Sequence, residues 1–374
     1  MVDPRTRADL AVRGVNADPP VRRHGGAGPT GDGHLLVDGV PAAIPTDPAS
    51  PYRLVDGRLI LDGEDLGVGV TAVQRPAFYD RVTSDGVAMH RLARLHGADV
   101  LATTVVQTCV RYRPEERCQY CSIEESLAAG ATTRVKTPGQ LAEVAAAAVA
   151  LDGVAQMVMT TGTAATPDRG ARYLARCVEA VKAVTPGLPI QVQCEPPDDP
   201  GALAALRRAG ADAIGIHVES LDDDCRRRWL PGKARVPLSA YWAAWDEAVV
   251  IFGSNRVSTY LLAGLGEDPR ELVEGASRLI ERGVYPFVVP VRPGAGTLAA
   301  AAGLRPPDAS LVADVSTDVA ALLATAGMHA GDQRAGCAAC GACSALGSAA
   351  PDEVPVTLGR TFPTTPIIPQ EACA

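Results

Sequence analysis

The chain has 374 residues, of which 47% are apolar and 21% are charged, and its formal net charge is −8. This acidic balance, with no basic run longer than residues 226–228, argues against nucleic acid as a main partner, because phosphate binding depends on lysine and arginine. No apolar stretch approaches the ~20 residues of a membrane span, and the first residues lack the apolar core of a secretory signal. We therefore expect a cytoplasmic protein without a membrane partner, in which the ten cysteines are reduced thiols or metal ligands.

The amino-terminal part of the chain divides into two predicted segments. Residues 1–33 are rich in glycine, proline, arginine and aspartate and lack apolar periodicity, which predicts a disordered tail. Residues 34–95 contain two short apolar runs, at 34–37 and 58–61, each beside an Asp-Gly pair. Asp-Gly is typical of tight hairpin turns, so we expect small hairpins that form an accessory cap.

Strand-like and helix-like segments alternate through residues 96–300, the predicted core. The predicted strands are residues 101–107, 155–160, 189–194, 212–218, 256–262 and 284–291. The predicted helices between them are residues 137–150, 168–184, 198–209, 239–252 and 269–282. This alternation predicts an α/β fold whose right-handed crossovers build a parallel sheet, and six units predict a partial (β/α)6 barrel. Residues 301–374 form a C-terminal extension, with a further helix near 308–327.

Three cysteines follow the first predicted core strand. Cys109 lies at its carboxyl end, and Cys118 and Cys121 lie in the loop beyond, with eight and then two intervening residues. In parallel α/β folds, ligands bind at this end of the sheet. Structural zinc takes four ligands, and no fourth cysteine or histidine lies nearby in the sequence. Three thiolates instead suit a [4Fe–4S] cluster that keeps one iron free for a substrate or cofactor. We call these cysteines the first triad.

A second group of three cysteines, the second triad, occurs in the C-terminal extension. Cys337, Cys340 and Cys343 are spaced by two residues each, as in the compact ferredoxin run, but the following Cys-Pro of that run is absent. The triad could hold an auxiliary iron–sulfur cluster, or a zinc ion completed by Cys373 or His329. Free thiols are the third reading, and the sequence leaves all three open.

Polar and small residues cluster at the ends of the other predicted strands. These candidate site residues are Thr161, Gly162, Thr163, Glu195, His217, Glu219, Gly264 and Gly266. Tyr120, immediately before the last cysteine of the first triad, is a further candidate, because an aromatic ring there could pack beside the cluster or the adenine of a bound cofactor. Each also has an ordinary structural explanation: the carboxylates and the histidine could be satisfied polar groups, and the glycines could serve turns with positive φ. Their shared position at one edge of the sheet favours ligand binding.

Together these segments resemble the radical S-adenosylmethionine (SAM) superfamily, in the branch around biotin synthase. The first triad departs from the usual C-x3-C-x-aromatic-C spacing, but Tyr120 retains the aromatic before the last cysteine. The runs LATTVVQTC, TTGT, QCEPPDD, LAGLGE, YPFVVPV and GCAACGACSAL are similar to one subfamily, often encoded beside a nitrilase and an acetyltransferase. This resemblance covers roughly residues 75–347. The reaction of that subfamily is not established.

The resemblance implies a set of cofactors and roles. The first triad would hold a [4Fe–4S] cluster, SAM would chelate the open iron, and reductive cleavage would yield a 5′-deoxyadenosyl radical that abstracts hydrogen from a small polar substrate. Thr161, Gly162 and Thr163 match the motif that holds the SAM amino group, and Gly264 and Gly266 match the stretch against the adenine. An electron donor such as flavodoxin or ferredoxin is implied as a partner.

Two readings without radical chemistry stand beside this one. The cluster could act as a Lewis acid, as in dehydratases, or the protein could transfer electrons. Only the radical reading requires stoichiometric binding of SAM.

Overall fold

An amino-terminal helix and five antiparallel strands precede the main sheet. The computed structural model describes residues 2–17, 35–294, 296–349 and 364–365. Helix α1 spans Pro4–Arg13, and the side chain of Asp3 caps it by accepting hydrogen bonds from two backbone N–H groups. The strands are β1 (Leu35–Val37), β2 (Val40–Ala42), β3 (Tyr52–Val55), β4 (Arg58–Leu61) and β5 (Glu64–Val73). They form a sheet in the order β2-β1-β5-β4-β3, and Thr364–Thr365 also pairs with β5.

The prediction of a disordered tail is wrong for residues 4–13, which form helix α1. Ala8, Leu10 and Ala11 are buried, and Leu10 belongs to a small core with residues of the five-stranded sheet. The sequence pattern missed this helix because it contains three arginines, and its burial depends on partners distant in the chain. The rest of the predicted tail, residues 18–34, lies outside the described residues.

The predicted hairpins are present in the cap region. Asp56 and Gly57 join β3 to β4 with positive φ at both positions, the conformation of a type I′ turn. The cap sheet ends at Val73, however, well before the predicted boundary at residue 95. Phe78, Met89 and their neighbours belong instead to the hydrophobic core of the main sheet.

Seven strands form the main sheet. They are β6 (Arg94–His96), β7 (Val100–Thr104), β8 (Gln156–Thr160), β9 (Ile190–Gln193), β10 (Ala213–Gly215), β11 (Val257–Ala263) and β12 (Val284–Pro290). Their order is β12-β11-β10-β9-β8-β7-β6; β7 to β12 are parallel, and β6 pairs antiparallel with β7 at one edge. The six parallel strands confirm the predicted partial (β/α)6 barrel. Among the described strands of this main sheet, β6 is the one that the sequence did not predict.

Helices connect the parallel strands close to the predicted positions. They are α3 (Pro138–Asp152), α4 (Ala171–Val184), α5 (Ala202–Arg208), α6 (Asp223–Trp229), α7 (Leu238–Phe252) and α8 (Pro269–Ile280), and a short α2 (Glu125–Ala128) precedes them. Helix α3 shows why prediction succeeds here: Thr137 and Gln140 form a capping box, and Gly153 ends the helix in the left-handed conformation. Helix α6 was not predicted. Asp222, the residue before it, caps the helix because its side chain accepts a hydrogen bond from the N–H of Cys225.

The two faces of the main sheet differ in polarity. Met157, Met159 and Val192 are buried in the hydrophobic core. The alternating residues point to the opposite face, where buried Gln191 hydrogen-bonds to both Gln193 and Ser258. The concave interior of the partial barrel is therefore polar.

The C-terminal extension returns to this interior. It contains α9 (Leu298–Ala301), α10 (Ala309–Thr325), α11 (Cys337–Cys340) and α12 (Leu346–Ala349), and α10 confirms the predicted further helix. Gly336 donates its N–H to the side chain of Gln156, the first residue of β8, and the N–H of Ala43 in the cap donates to Ala342. The segment between α10 and α12 thus lies between the barrel interior and the cap. No helix among the described residues has the length and apolar character needed to cross a membrane.

Candidate active site

The loop that carries the first triad is joined to the end of the neighbouring strand. Gly162, just after β8, donates its N–H to the carbonyl of Val106 at 2.9 Å, and Val110 donates to the carbonyl of Thr163 at 2.9 Å. A Cβ at position 162 would collide with the carbonyl oxygen of Thr108. Gly162 is therefore required for this close approach of two backbones, next to Cys109.

The three cysteines of the first triad are free and partly buried. Cys121 donates its N–H to the carbonyl of Cys118 at 2.9 Å, so the last two lie in one tight turn. Burial raises the pKa of Cys118 well above its usual value and that of Cys121 to about 11. Thiolates at these positions therefore need a nearby positive charge, such as iron, to offset desolvation.

A buried ion pair clamps the loop between the first two cysteines. The guanidinium of Arg111 donates to both carboxylate oxygens of Glu195 at 2.9 to 3.1 Å, and it also donates to the carbonyl of Gly232. Burial opposes the charge of Glu195, but the hydrogen bonds from Arg111 hold its pKa below the ordinary value. Glu195, a candidate ligand from the sequence, thus connects the end of β9 to the cysteine loop.

A second buried ion pair lies beside Cys118. The ammonium of Lys233 contacts Glu219 at 2.5 Å and donates to the carbonyl of His217 at 2.7 Å. Burial opposes the charge of Lys233, but the carboxylate of Glu219 raises its pKa above the usual value, so it stays protonated. Glu219 has a φ of 65°, a left-handed conformation that residues with a side chain rarely adopt.

Two buried polar atoms of predicted site residues have no hydrogen-bond partner within the described part of the chain. They are the hydroxyl oxygen of Tyr120 and Nε2 of His217. The N–H of Tyr260 donates to Nδ1 of His217 at 3.2 Å, and burial lowers the pKa of this histidine to about 3. The neutral ring therefore carries its proton on Nε2, which is available as a donor in the barrel interior.

The remaining predicted site residues differ in their surroundings. The hydroxyl of Thr161 donates to the carbonyl of Gly162, and Thr163 hydrogen-bonds to Glu195. Gly264 has a φ of 102°, and a Cβ there would come within 2.8 Å of Pro307. Gly266 has a φ of 112° with open space around it. Gly264 is thus explained by packing, whereas the space at Gly266 leaves room for a ligand.

The second triad lies in the polar interior of the barrel. A Cβ on Gly97, in the turn before β7, would come within 2.8 Å of the sulfur of Cys340. Gln193, the last residue of β9, donates its side-chain amide to the sulfur of Cys337 at 3.6 Å, and Tyr260 hydrogen-bonds to the same sulfur. The second triad therefore spans the interior from the turn before β7 to the end of β9, and we call this region the floor of the barrel.

The donor chemistry of the first triad fits an iron–sulfur cluster. In the described part of the chain, no three Cys, His, Asp or Glu side chains converge on one point as the ligands of a single metal ion do. Ligands of a cluster bind separate irons, so they do not need to converge. The unpartnered Tyr120 hydroxyl and the close backbone approach at Gly162 suit a bound group beside the loop.

Sequence reasoning missed the residues that hold this arrangement together. Arg111, Lys233 and Tyr260 were not singled out, although Arg111 lies between two cysteines of the first triad. Its position in that loop was the available signal. Lys233 and Tyr260 gave none, because their partners are distant in the chain.

Fold and site together define a partial (β/α)6 barrel with a cysteine-bearing loop at the carboxyl ends of its strands. Residues 112–279 match the family model described as the radical SAM superfamily. These residues, somewhat less than half of the chain, are a radical SAM domain.

Individual relatives cover only part of the chain. It is 31% identical over 137 residues to bacteriochlorophyllide c C-7(1)-hydroxylase of Chlorobaculum limnaeum, which is 36% of this chain and 33% of that protein. The chain thus spans about a third of the length of this curated relative. Among solved structures, methylornithine synthase shows 18% identity with a TM-score of 0.45, covering 60% of this chain and 61% of its own. The [FeFe]-hydrogenase maturase HydG shows 16% identity and a TM-score of 0.45, with coverages of 61% and 49%.

Proposed function

We propose that the protein is a radical SAM enzyme that abstracts hydrogen from a small polar substrate. The observation that carries this proposal is that three free cysteines share one clamped loop after the first parallel strand, and that Cys118 and Cys121 of this loop lie within the residues that match the radical SAM family model. In this proposal Cys109, Cys118 and Cys121 bind a [4Fe–4S] cluster. When bound, the cluster and SAM would supply a 5′-deoxyadenosyl radical, and the formation of this radical is the difficult chemical step.

The protein's own residues orient and shield the site. Arg111 and Glu195 hold the cysteine loop against β9, and their buried bidentate geometry restricts its movement. Lys233 places a positive charge beside Cys118, where it favours the thiolate. These groups act as positioning residues, and we do not assign them a role in proton transfer.

SAM is expected to occupy the strand ends around the loop. We propose that Thr161, Gly162 and Thr163 approach its amino group, that Gly266 faces the adenine, and that Tyr120 donates its free hydroxyl to the bound cofactor. Gly264 contributes through the shape of its turn. Glu195 and Glu219 act through their ion pairs, because each carboxylate already has a cation as partner.

The substrate is proposed to bind in the polar interior, between the two triads. His217 Nε2 is a free donor there, and Gln191, Gln193 and Ser258 line the same face. Such a surface suits a molecule with hydrogen-bonding groups. We further propose that the second triad binds an auxiliary iron–sulfur cluster, and that an external donor such as flavodoxin or ferredoxin supplies electrons in the cytoplasm.

The test is anaerobic reconstitution with iron and sulfide, followed by dithionite, SAM and assay of 5′-deoxyadenosine. Cys118→Ala should abolish 5′-deoxyadenosine formation. Cys177→Ala is the matched control, because Cys177 is buried on α4 in the core and should leave SAM cleavage intact. Formation of 5′-deoxyadenosine by Cys118→Ala would contradict the proposal. An intact cluster with no binding of SAM would favour electron transfer or a Lewis-acid role instead.

A further inference from the structure

The second triad is enclosed by elements from three distant parts of the chain. Cys340 packs against the turn at Gly97. A Cβ on Gly336, the residue before Cys337, would collide with the side chain of Gln191 in β9. The cap closes the remaining side through the bond from Ala43 to Ala342. The three thiols are therefore partly buried in the floor of the barrel.

Two arginines face this floor without a carboxylate. Arg7 on α1 is 5% exposed and donates to the carbonyl of Pro41. Arg292, just after β12, donates to the carbonyls of Ala11 and Cys343. Across the described ranges, neither guanidinium has a carboxylate within ion-pair distance. Arg7 is thus buried and Arg292 is partly buried, and taking such charges out of water is costly unless opposite charge lies nearby.

The second triad is an adjacent source of that opposite charge. Arg292 donates to the backbone carbonyl of Cys343 itself. Pro41, which accepts the hydrogen bond from Arg7, lies with Cys340 against the turn at Gly97. Neutral thiols would leave both guanidinium groups uncompensated, whereas three metal-bound thiolates supply negative charge at that point.

We infer that Arg7 and Arg292 are part of a second iron–sulfur site, in which they balance the charge of a cluster bound by Cys337, Cys340 and Cys343. The amino-terminal helix is then a functional component of this site as well as a packing element. Gln193 and Tyr260 donate to the sulfur of Cys337, and hydrogen bonds to cluster sulfurs raise the reduction potential.

This inference rests on the proposal that the second triad binds a cluster, and it is independent of the first triad. The test therefore uses the full-length Cys118→Ala protein, in which the first cluster is removed. Iron, sulfide and zinc are counted after anaerobic reconstitution, and the reduction potential of the remaining cluster is measured by an EPR-monitored titration. About four irons and four sulfides per chain are expected, and further Cys337→Ala substitution should remove them.

Arg7→Gln in this background should move the reduction potential to more negative values, because loss of a positive charge disfavours the added electron. Arg7→Lys should restore most of the shift. Arg5→Gln is the matched control, because Arg5 lies on the same helix but is exposed, and the potential should not change. If Arg7→Gln fails to fold, Arg292→Gln carries the same expectation.

Three results would overturn the inference. Zinc in place of iron and sulfide would exclude the cluster, and absence of any metal would exclude the site. An unchanged potential in both Arg7→Gln and Arg292→Gln would exclude the role of the arginines. Failure of SAM cleavage in the otherwise unmodified protein would count against the proposed function alone, because the iron count and the potential do not depend on SAM.

Discussion

The two cysteine triads differ in whether the positively charged side chains around them are paired with carboxylates. Around the first triad, the buried cations Arg111 and Lys233 each have a carboxylate, so the loop is nearly neutral before any metal binds. Around the second triad, Arg7 and Arg292 bond to carbonyl oxygens, and positive charge remains in excess. The first arrangement builds a rigid loop that can present an open iron to SAM. The second builds a closed pocket that attracts negative charge.

The triads also differ in their place in the barrel. The carboxyl ends of parallel strands form the usual ligand-binding edge, where the first triad is placed. The second triad lies in the floor of the barrel interior, under the cap. We therefore expect substitutions near the first triad to change SAM chemistry, and those near the second to change the redox properties of the protein.

The largest effect is expected for Arg111→Met. It leaves the carboxylate of Glu195 buried without its cation, which costs about 3–5 kcal/mol and frees the cysteine loop. We expect loss of the first cluster and retention of the second, measured as roughly half of the iron together with a lowered unfolding midpoint in urea. Arg113→Met, on the exposed side of the same loop, should retain all of the iron. Full iron content in Arg111→Met would show that the clamp is dispensable.

Gly162→Ala should cause the next largest effect. The added Cβ collides with the carbonyl of Thr108, so the strand end and the cysteine loop must separate. Formation of 5′-deoxyadenosine should fall at least about tenfold, since small displacements of positioned reactants reduce rates strongly. Gly139→Ala, in α3 with open space around it, is the control and should retain activity. Equal rates in the two variants would contradict the close approach.

Tyr260→Phe should affect only the second site. It removes one hydrogen bond to the sulfur of Cys337 and preserves the ring that stacks on His217 at 4.0 Å. The reduction potential of the second cluster should become more negative, by less than in Arg7→Gln, as measured by EPR-monitored titration. Tyr173→Phe is the control, because the hydroxyl of Tyr173 donates to the backbone carbonyl of Lys136, far from this floor. A shift in the first cluster instead would break the separation between the two sites.

The last prediction concerns pH dependence at the base of the loop that carries the first triad. Lys136 is 2% exposed, donates to the carbonyl of Thr104, and has its pKa lowered by burial to about 8 from 10.5. Between these values the unfolded chain binds more protons than the folded one, so the contribution of Lys136 to stability rises with pH, by about 3 kcal/mol in total. Lys136→Met should remove this rise. The measurement is the difference in unfolding midpoint between variant and wild type at pH 7 and pH 9.5, and a constant difference would contradict the buried charge.

Much of the fold followed from local pattern. Strands β7 to β12 and the helices α3, α4, α5, α7 and α8 were predicted to within a few residues, because apolar runs alternate with capped helices, as at Thr137 and Gly153. The first triad was recognisable for the same reason: its spacing and its position after a strand are local properties of the chain. Strand β6 and helix α1 were missed, since each depends on a partner that the sequence pattern does not reveal.

The sequence alone therefore determined the class of barrel, the resemblance to radical SAM proteins and the cysteines that are candidates for clusters. Only the tertiary structure decided their surroundings. It paired Arg111 with Glu195 across 84 positions, and it brought Ala11 of α1 to Arg292 across 281 positions. Charge compensation in a buried site depends on distance in space, and the chain can supply the compensating group from any position. For that reason the roles of Arg7 and Lys233 become visible only in the folded protein.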